Sequence, residues 1–306
     1  MLRSLFITLS ESKNLRRFAE QSAIGQKVSH RFVAGMTPED VLSAAAAVNK
    51  SGMSVSVDNL GENVTNAAEA THSAELYRQL LDQITQRQLN ANVSLKLTHM
   101  GFDVDQQLAR DITNSLIQQA ARLKNFVRVD MEGSPYTQKT IDTVRALHAQ
   151  PGNAGYVGTV IQAYLYRSEK DIEDLVSEKI RIRLCKGAYK ESADIAFPKK
   201  EDTDKNYLKL AKILMKSGVY HGMATHDERI IEQIKAFAKA ERIPNDAYEF
   251  QMLYGIRTDL QKQLAKDGYG MRVYIPFGSE WYPYFMRRLA ERPANALFIA
   301  KNMLRG

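Results

Sequence analysis

From residue 53 onward the chain swings between short stretches of period two and long stretches of helical period. Met53, Val55 and Val57 are apolar, and Ser54, Ser56 and Asp58 beside them are polar. Val93, Leu95 and Leu97 oppose Ser94, Lys96 and Thr98. Val127, Val129 and Met131 oppose Arg128, Asp130 and Glu132, and Ile180, Ile182 and Leu184 oppose Arg181, Arg183 and Cys185. Such alternation predicts strands. Further strands are predicted to begin near Val157, Tyr220, Tyr248 and Gly270. Between the strands, helical spacing runs over 68–89, 105–124, 137–149, 169–177, 207–216, 227–241 and 257–267. Eight strand–helix units in 306 residues predict an α/β fold, a closed parallel (βα)8 TIM-like barrel. An open doubly wound sheet is the alternative. It is weakened because no Gly-x-Gly-x-x-Gly follows a strand, and Gly152, Gly155 and Gly158 have the wrong spacing.

The alternation carries a second message. Parallel strands buried on both faces usually read as continuous apolar runs, and these do not. In a barrel the apolar set would meet the outer helices and the polar set would point into the lumen. An unpaired charge in a dry lumen costs several kcal/mol, so the inside must be wet, ion-paired or filled by a polar ligand. An antiparallel sheet with one solvated face would alternate too, but the long helical connections argue against it. Residues 1–47 read as an N-terminal helical segment, with apolar stripes at Leu2, Leu5, Phe6 and Leu9 and at Leu15, Phe18 and Ala19. Thr37 is its clearest N-cap, with Pro38 in the first helical position. Residues 48–306 make the barrel.

The last stretch is the most informative. Met271, Val273 and Ile275 alternate with Arg272 and Tyr274, then Pro276 and Gly278 stop the strand. Ser279 is a candidate N-cap for a helix on which Tyr284, Arg287, Arg288 and Glu291 share one face. Two adjacent arginines there form a double fork for a carboxylate or phosphate.

Charge and composition narrow the classes. The net charge of +7 suits an anionic ligand or an acidic membrane surface, but the basic residues are scattered, unlike a nucleic-acid groove. Cys185 is the one cysteine, so an internal disulfide is impossible, as fits a reducing compartment. The apolar run from Leu5 to Leu9 is short for a signal peptide, and nothing approaches the ~18 apolar residues of a membrane span. A cytoplasmic protein is expected.

Catalytic groups of such barrels sit at the C-terminal ends of strands. Lys96 and Thr98, Asp130, Gln162, Arg183, Thr225 with His226 and Asp227, and Leu253 would all look at that rim, beside the helix carrying Arg287 and Arg288. A double cation, one carboxylate and aromatic walls suit a zwitterion such as an amino acid, together with an anionic cofactor. Metal binding is not expected, since His99 and His226 lack partners at ligand spacing. No Gly-x-Ser-x-Gly offers a serine nucleophile, and Cys185 beside an aliphatic run reads as packing. A Schiff-base lysine, Lys96 or Lys186, is the competing enzymatic reading, and a barrel that only binds a ligand is a third.

Several segments together resemble the proline dehydrogenase family. They are Val129-Asp130-Met131-Glu132, Arg183-Leu184-Cys185-Lys186-Gly187-Ala188-Tyr189, Ala224-Thr225-His226-Asp227, Val273-Tyr274-Ile275-Pro276-Phe277-Gly278 and Tyr284-x-x-Arg287-Arg288-x-Ala290-Glu291-Arg292-Pro293. They occur in family order from about Ser54 to Asn295, and Cys185 is a mild departure at a packing position. The resemblance implies a barrel that binds FAD non-covalently and oxidises L-proline to Δ1-pyrroline-5-carboxylate by hydride transfer to the flavin N5. It implies that Arg287 and Arg288 hold the proline carboxylate, that Asp130 and Lys96 line the pocket, and that Tyr189, Leu253 and Tyr274 pack on the ring. Arg183 would lie beside the flavin N5. Met131, Gln162, Lys186, Gly187, Ala188, Thr225 and His226 would contact FAD. Glu62 would pair with Arg287 as a gate. Electrons would pass to quinone, with loose peripheral association at the inner membrane face. Ending at Gly306 without a second dinucleotide domain, the chain looks like the single-activity form.

Overall fold

The computed structural model describes residues 31–61, 64–282, 284 and 286. Thr37 caps α1 (Pro38–Asn49) as its sequence predicts: its hydroxyl accepts from the Asp40 amide, and the Asp40 carboxylate accepts from the Thr37 amide at 2.9 Å. Val41, Leu42 and Ala45 of α1 belong to the same apolar cluster as the strands, so a boundary at 47/48 passes through a helix packed on the barrel.

The strands are β1 (Ser54–Asn59), β2 (Ala91–Leu95), β3 (Val127–Val129), β4 (Val157–Gln162), β5 (Arg181–Cys185), β6 (His221–Ala224), β7 (Tyr248–Leu253) and β8 (Gly270–Phe277). They pair in parallel, in chain order, and close when β8 meets β1 with Ser54 opposite Arg272 and Ser56 opposite Tyr274. The connecting helices are α2 (Ala67–Gln86), α3 (Gln106–Arg122), α4 (Ser134–His148), α5 (Ser168–Ser177), α6 (Lys200–Lys216), α7 (Glu228–Ala240) and α8 (Thr258–Lys266). Helical backbone resumes at Trp281, two residues after the expected cap at Ser279.

Two helices begin earlier than apolar spacing suggests, each for a physical reason. The first two turns of α6 read Lys-Glu-Asp-Thr-Asp-Lys, with no apolar face to detect. They are held by acidic residues at the helix N-terminus and by a Lys200–Asp204 ion pair. The first turn of α4 is capped from another loop, since the Ser134 amide donates to Glu191 Oε1 at 2.8 Å.

The apolar set of each strand faces the helices. Val55, Val57, Val93, Leu95, Val127, Val129, Ile182 and Leu184 are fully buried in one cluster with Tyr77, Leu81, Leu116 and Leu210 of the outer shell. Each such aliphatic side chain contributes about 1.5–3 kcal/mol on burial. The polar set fills the lumen, and three of its cations are ion-paired: Lys96 to Asp58 at 3.3 Å, Arg183 to Asp130 at 2.7 Å and Arg272 to Glu249 at 2.7 Å.

One buried titratable group lies outside the lumen chemistry. His221 at the head of β6 accepts the Ile182 amide at Nδ1 (2.9 Å), and its Nε2 lies 3.0 Å from Ser217 Oγ at the end of α6. Ser217 Oγ already donates to Leu214 O, so Nε2 must carry the proton and the ring is neutral. Burial, reinforced by Arg128 and Arg181, pushes the ring down to about 3. An unfolded histidine titrates near 6.5, so falling pH protonates the unfolded chain first. His221 therefore stabilises the fold above about pH 6.5, and that stability drains at up to ~1.4 kcal/mol per pH unit as pH falls toward the folded value. His221→Gln is expected to lose stability at pH 7 and to close the gap to the parent chain by pH 4, in urea unfolding at each pH. A gap that stays constant with pH would show that His221 does not titrate on unfolding.

Candidate functional site

Arg183 is the hub of the lumen. It rises from the middle of β5, and its guanidinium makes four hydrogen bonds to side chains in or next to other strands. Nη1 donates to Asp130 Oδ1 at 2.7 Å, and Nη2 to Ser56 Oγ at 3.1 Å and Ser94 Oγ at 3.0 Å. Nε donates to Gln251 Oε1 at 2.6 Å. The Tyr274 ring lies under the guanidinium at 5.0 Å, and its hydroxyl donates to Asp130 Oδ2 at 2.9 Å. Both Asp130 oxygens thus accept from groups on opposite sides of the barrel. Burial first, then the nearby Asp130 and Asp58 carboxylates, hold the Tyr274 phenol well above its usual value, so it stays a donor.

A second buried pair stands beside it. Lys96 follows β2 and reaches Asp58 Oδ2 at 3.3 Å, while Tyr77 of α2 donates to Asp58 Oδ1 at 3.4 Å. Burial raises the Asp58 carboxyl and outweighs the lowering by Lys96, with Asp130 raising it further.

The rim holds the rest. Gln162 at the end of β4 donates from Nε2 to Glu132 O at 2.9 Å, and Met131 is buried beside Glu132. After β5, Lys186 lies 2.5 Å from Asp204 and 3.1 Å from Asp227. Gly187 has φ +114°, and a Cβ there would sit 2.3 Å from the Tyr164 ring, so glycine is required. Ala188 and Tyr189 continue that loop half-exposed. After β6, Thr225 Oγ1 accepts from the Asp227 amide, and His226 Nε2 accepts from the Leu253 amide at 2.9 Å. Asp227 then caps α7.

Asp130, Lys96, Leu253, Gln162, Met131, Lys186, Gly187, Ala188, Tyr189, Thr225 and His226 lie at the C-terminal ends of strands or in the loops that follow, while Arg183 and Tyr274 rise from within β5 and β8. Arg287, Arg288 and Glu62 lie outside the described residues, as do the N-terminal stripes before residue 31. Tyr284, expected on the arginine face, is buried in a satellite cluster with Phe32, Val33, Leu60, Trp281, Tyr282 and Met286. Among the described residues no group of His, Cys, Asp and Glu is placed to hold a metal ion, and no helix is long and apolar enough to cross a membrane.

Sequence reasoning did not single out Asp58, Ser56, Ser94 or Gln251, although the alternation that placed Lys96 and Arg183 inward places these inward as well. Tyr77 gives no such signal: it reads as one more apolar position on α2. The Schiff-base alternative loses ground here, because both Lys96 and Lys186 are engaged by carboxylates and neither amine is offered as a nucleophile.

The proline dehydrogenase family profile matches residues 41–301. This chain belongs to the proline dehydrogenase family. It is an oxidoreductase of proline catabolism. It is 43% identical over 306 residues to proline dehydrogenase 1 of Bacillus subtilis (strain 168), covering 100% of both chains. It is 40% identical over 309 residues to the proline dehydrogenase of Deinococcus radiodurans, covering 100% of this chain and 99% of the other. Among solved structures, proline utilization A (PutA) of Bdellovibrio bacteriovorus, inactivated by N-propargylglycine, superposes with a TM-score of 0.81 at 26% identity. That match covers 87% of this chain and 32% of the larger protein.

Removing one partner of a buried pair strands the other, at a cost of about 3–5 kcal/mol. Lys96→Met strands Asp58, whose carboxyl burial already raises. A folded-state value above the unfolded one gives stability at low pH that is lost as pH rises. Lys96→Met is therefore expected to be more destabilised at pH 8 than at pH 5, measured by urea unfolding. Equal or reversed losses would mean that Asp58 is not the group it leaves uncompensated.

Proposed function

We propose that the chain oxidises L-proline to Δ1-pyrroline-5-carboxylate at the C-terminal mouth of the barrel, using non-covalently bound FAD. The observation that carries this reading is the Asp130–Arg183–Tyr274 cluster, a fixed cation and a fixed carboxylate side by side where the lumen opens. The rim suits the cofactor chemically. Arg183 and Lys186 bring cations, Thr225 a hydroxyl and Gln162 an amide held by its own backbone contact, while Gly187 lets the loop after β5 pass close against Tyr164. Met131, Ala188 and His226 complete the cofactor's wall. FAD, when bound, supplies a two-electron acceptor for hydride at N5.

Proline is a zwitterion, so its two ends need opposite partners. Arg287 and Arg288 take the carboxylate, as the pair of adjacent guanidinium forks in the sequence suggests. Asp130 faces the amine, already held in place by Arg183 and Tyr274. The ring nitrogen must lose its proton before the neighbouring carbon gives up hydride, leaving the C=N bond of the product. A dry pocket with cations around it favours that loss. Tyr189, Leu253 and Tyr274 pack the ring, and the carboxylate clamp sets the distance at which hydride can leave. Arg183 opposes the negative charge gathered by the reduced cofactor. Glu62 pairs with Arg287 as a gate over the bound substrate. Electrons then pass to a quinone through a loose contact with the inner membrane face, and the protein otherwise works in the cytoplasm.

The absorption spectrum of the purified protein tests this directly. It is expected to show an oxidised flavin band that L-proline bleaches without oxygen; a colourless preparation, or a band that proline leaves intact, would defeat the reading. Arg288→Ala is expected to lose about 2–4 kcal/mol of substrate binding, roughly 30- to 900-fold in half-saturating proline, in steady-state kinetics. Unchanged substrate affinity would remove the arginines from the clamp.

A further inference from the structure

The lumen below the rim is as ordered as the rim itself, and its hydrogen bonds run in one direction. Arg183 Nε donates to Gln251 Oε1 at 2.6 Å, and Gln251 Nε2 donates to Glu249 Oε1 at 2.6 Å. A flipped amide would set N–H against N–H at one end and carbonyl against carboxylate at the other, so only one orientation is satisfied. Glu249 is anchored in turn by Arg272 Nε at 2.7 Å and the Tyr220 hydroxyl at 3.0 Å. Arg272 is tied to Val55 O at 2.8 Å and Asn92 Oδ1 at 2.9 Å. Burial works to raise the Glu249 carboxyl, but Arg272, Gln251 and Tyr220 outweigh it and hold it below the ordinary range. Glu249 and Gln251 are each 3% exposed.

A third strand makes room for this line. In register, Gly222 of β6 stands between Arg183 and Glu249. A Cβ on Gly222 would lie 2.3 Å from Gln251 Nε2 and 2.8 Å from Gln251 Cδ. Gly222 is not among the residues of positive φ, so its backbone does not call for glycine. Glycine inside a strand costs about 0.5–1 kcal/mol, and the space it leaves here is filled by the Gln251 amide.

We infer that Gln251, backed by Glu249, is the positioning residue of Arg183, and that Gly222 is the gap through which it reaches. The inference deepens the proposed function and rests on its reading of Arg183 as the cation beside the flavin. A neutral amide suits the task. It takes the Nε–H without cancelling the charge, so Asp130 remains the carboxylate on the guanidinium and the cation keeps one heading toward the mouth. A carboxylate at position 251 would cancel that charge and face Glu249.

The test uses the flavin-loaded enzyme and the rate at which saturating proline bleaches it without oxygen. Gln251→Leu and Gly222→Ala are each expected to slow bleaching about tenfold or more, as a small misplacement of an aligning group does, with little change in half-saturating proline or flavin content. Gln251→Glu is expected to be slow at neutral pH and to recover as pH falls, because a protonated carboxyl accepts from Arg183 and donates to Glu249 as the amide does. Bleaching by Gln251→Leu and Gly222→Ala within twofold of the parent, or a Gln251→Glu profile parallel to the parent's, would overturn the inference. Arg183→Lys separates the two readings. If it bleaches as fast as the parent, the role given to Arg183 fails; if it is slow while the Gln251 and Gly222 variants are not, only the positioning role fails.

Discussion

A guanidinium inside a barrel has no water to turn to, and the pairing of Arg183 with Asp130 is the constraint around which this lumen is arranged. That pairing goes with an acceptor just after β3, hydroxyls on β1 and β2, and an amide on β7. Each strand must then give its inward positions to polar residues. The apolar work of folding falls to the outward positions and the helices they meet. Alternation on a fully parallel sheet is therefore a consequence of charge placed inside. The same contacts that make the charges tolerable hold a cation and a carboxylate side by side on fixed headings.

Arg128 shows the cost of doing otherwise. It lies in the lower lumen, where its Nη1 donates to Thr159 O at 2.8 Å and Arg181 O at 2.7 Å, and its guanidinium stacks over Phe126 at 4.8 Å. Burial, then Arg183 and Arg181, disfavour its charge, while Glu249 and Asp130 only partly compensate. Carbonyl oxygens and a ring face replace a contacting carboxylate. Gly158 gives up its side chain for this, since a Cβ would meet Arg181 O at 2.2 Å and Arg128 Nη1 at 2.9 Å. Gly158 and Gly222 thus serve one purpose on neighbouring levels, each clearing the path of a long polar side chain from another strand.

Much of this was legible before any coordinates. Period-two alternation located the strands and told inward from outward, so Lys96, Asp130 and Arg183 could be placed at a common mouth. Contacts between strands distant in sequence could not be read that way. Gln251 meets Arg183 across 68 positions, and nothing near either residue names the other. Tyr77 reaches Asp58 from an outer helix where only packing was visible. The early turns of α6 were hidden for a related reason: their stability comes from ion pairs and the helix dipole, and a reading built on apolar spacing has nothing to count there.

Arg183 and Lys186 are held in different ways. Arg183 is almost fully enclosed, with its acceptors on β1, β2 and β7 and just after β3, so its heading cannot change without breaking several hydrogen bonds at once. Lys186 is a flexible point charge, about a quarter exposed, between Asp204 of α6 and Asp227 at the cap of α7. Asp227 is the N-cap of α7 and Asp204 also pairs with Lys200, so both carboxylates keep a partner whether or not the lysine stays. Lys186 can therefore turn toward an anionic group at the rim without stranding a buried charge. A charge tied to several strands keeps its heading; a charge on a flexible stem at the rim can change its own.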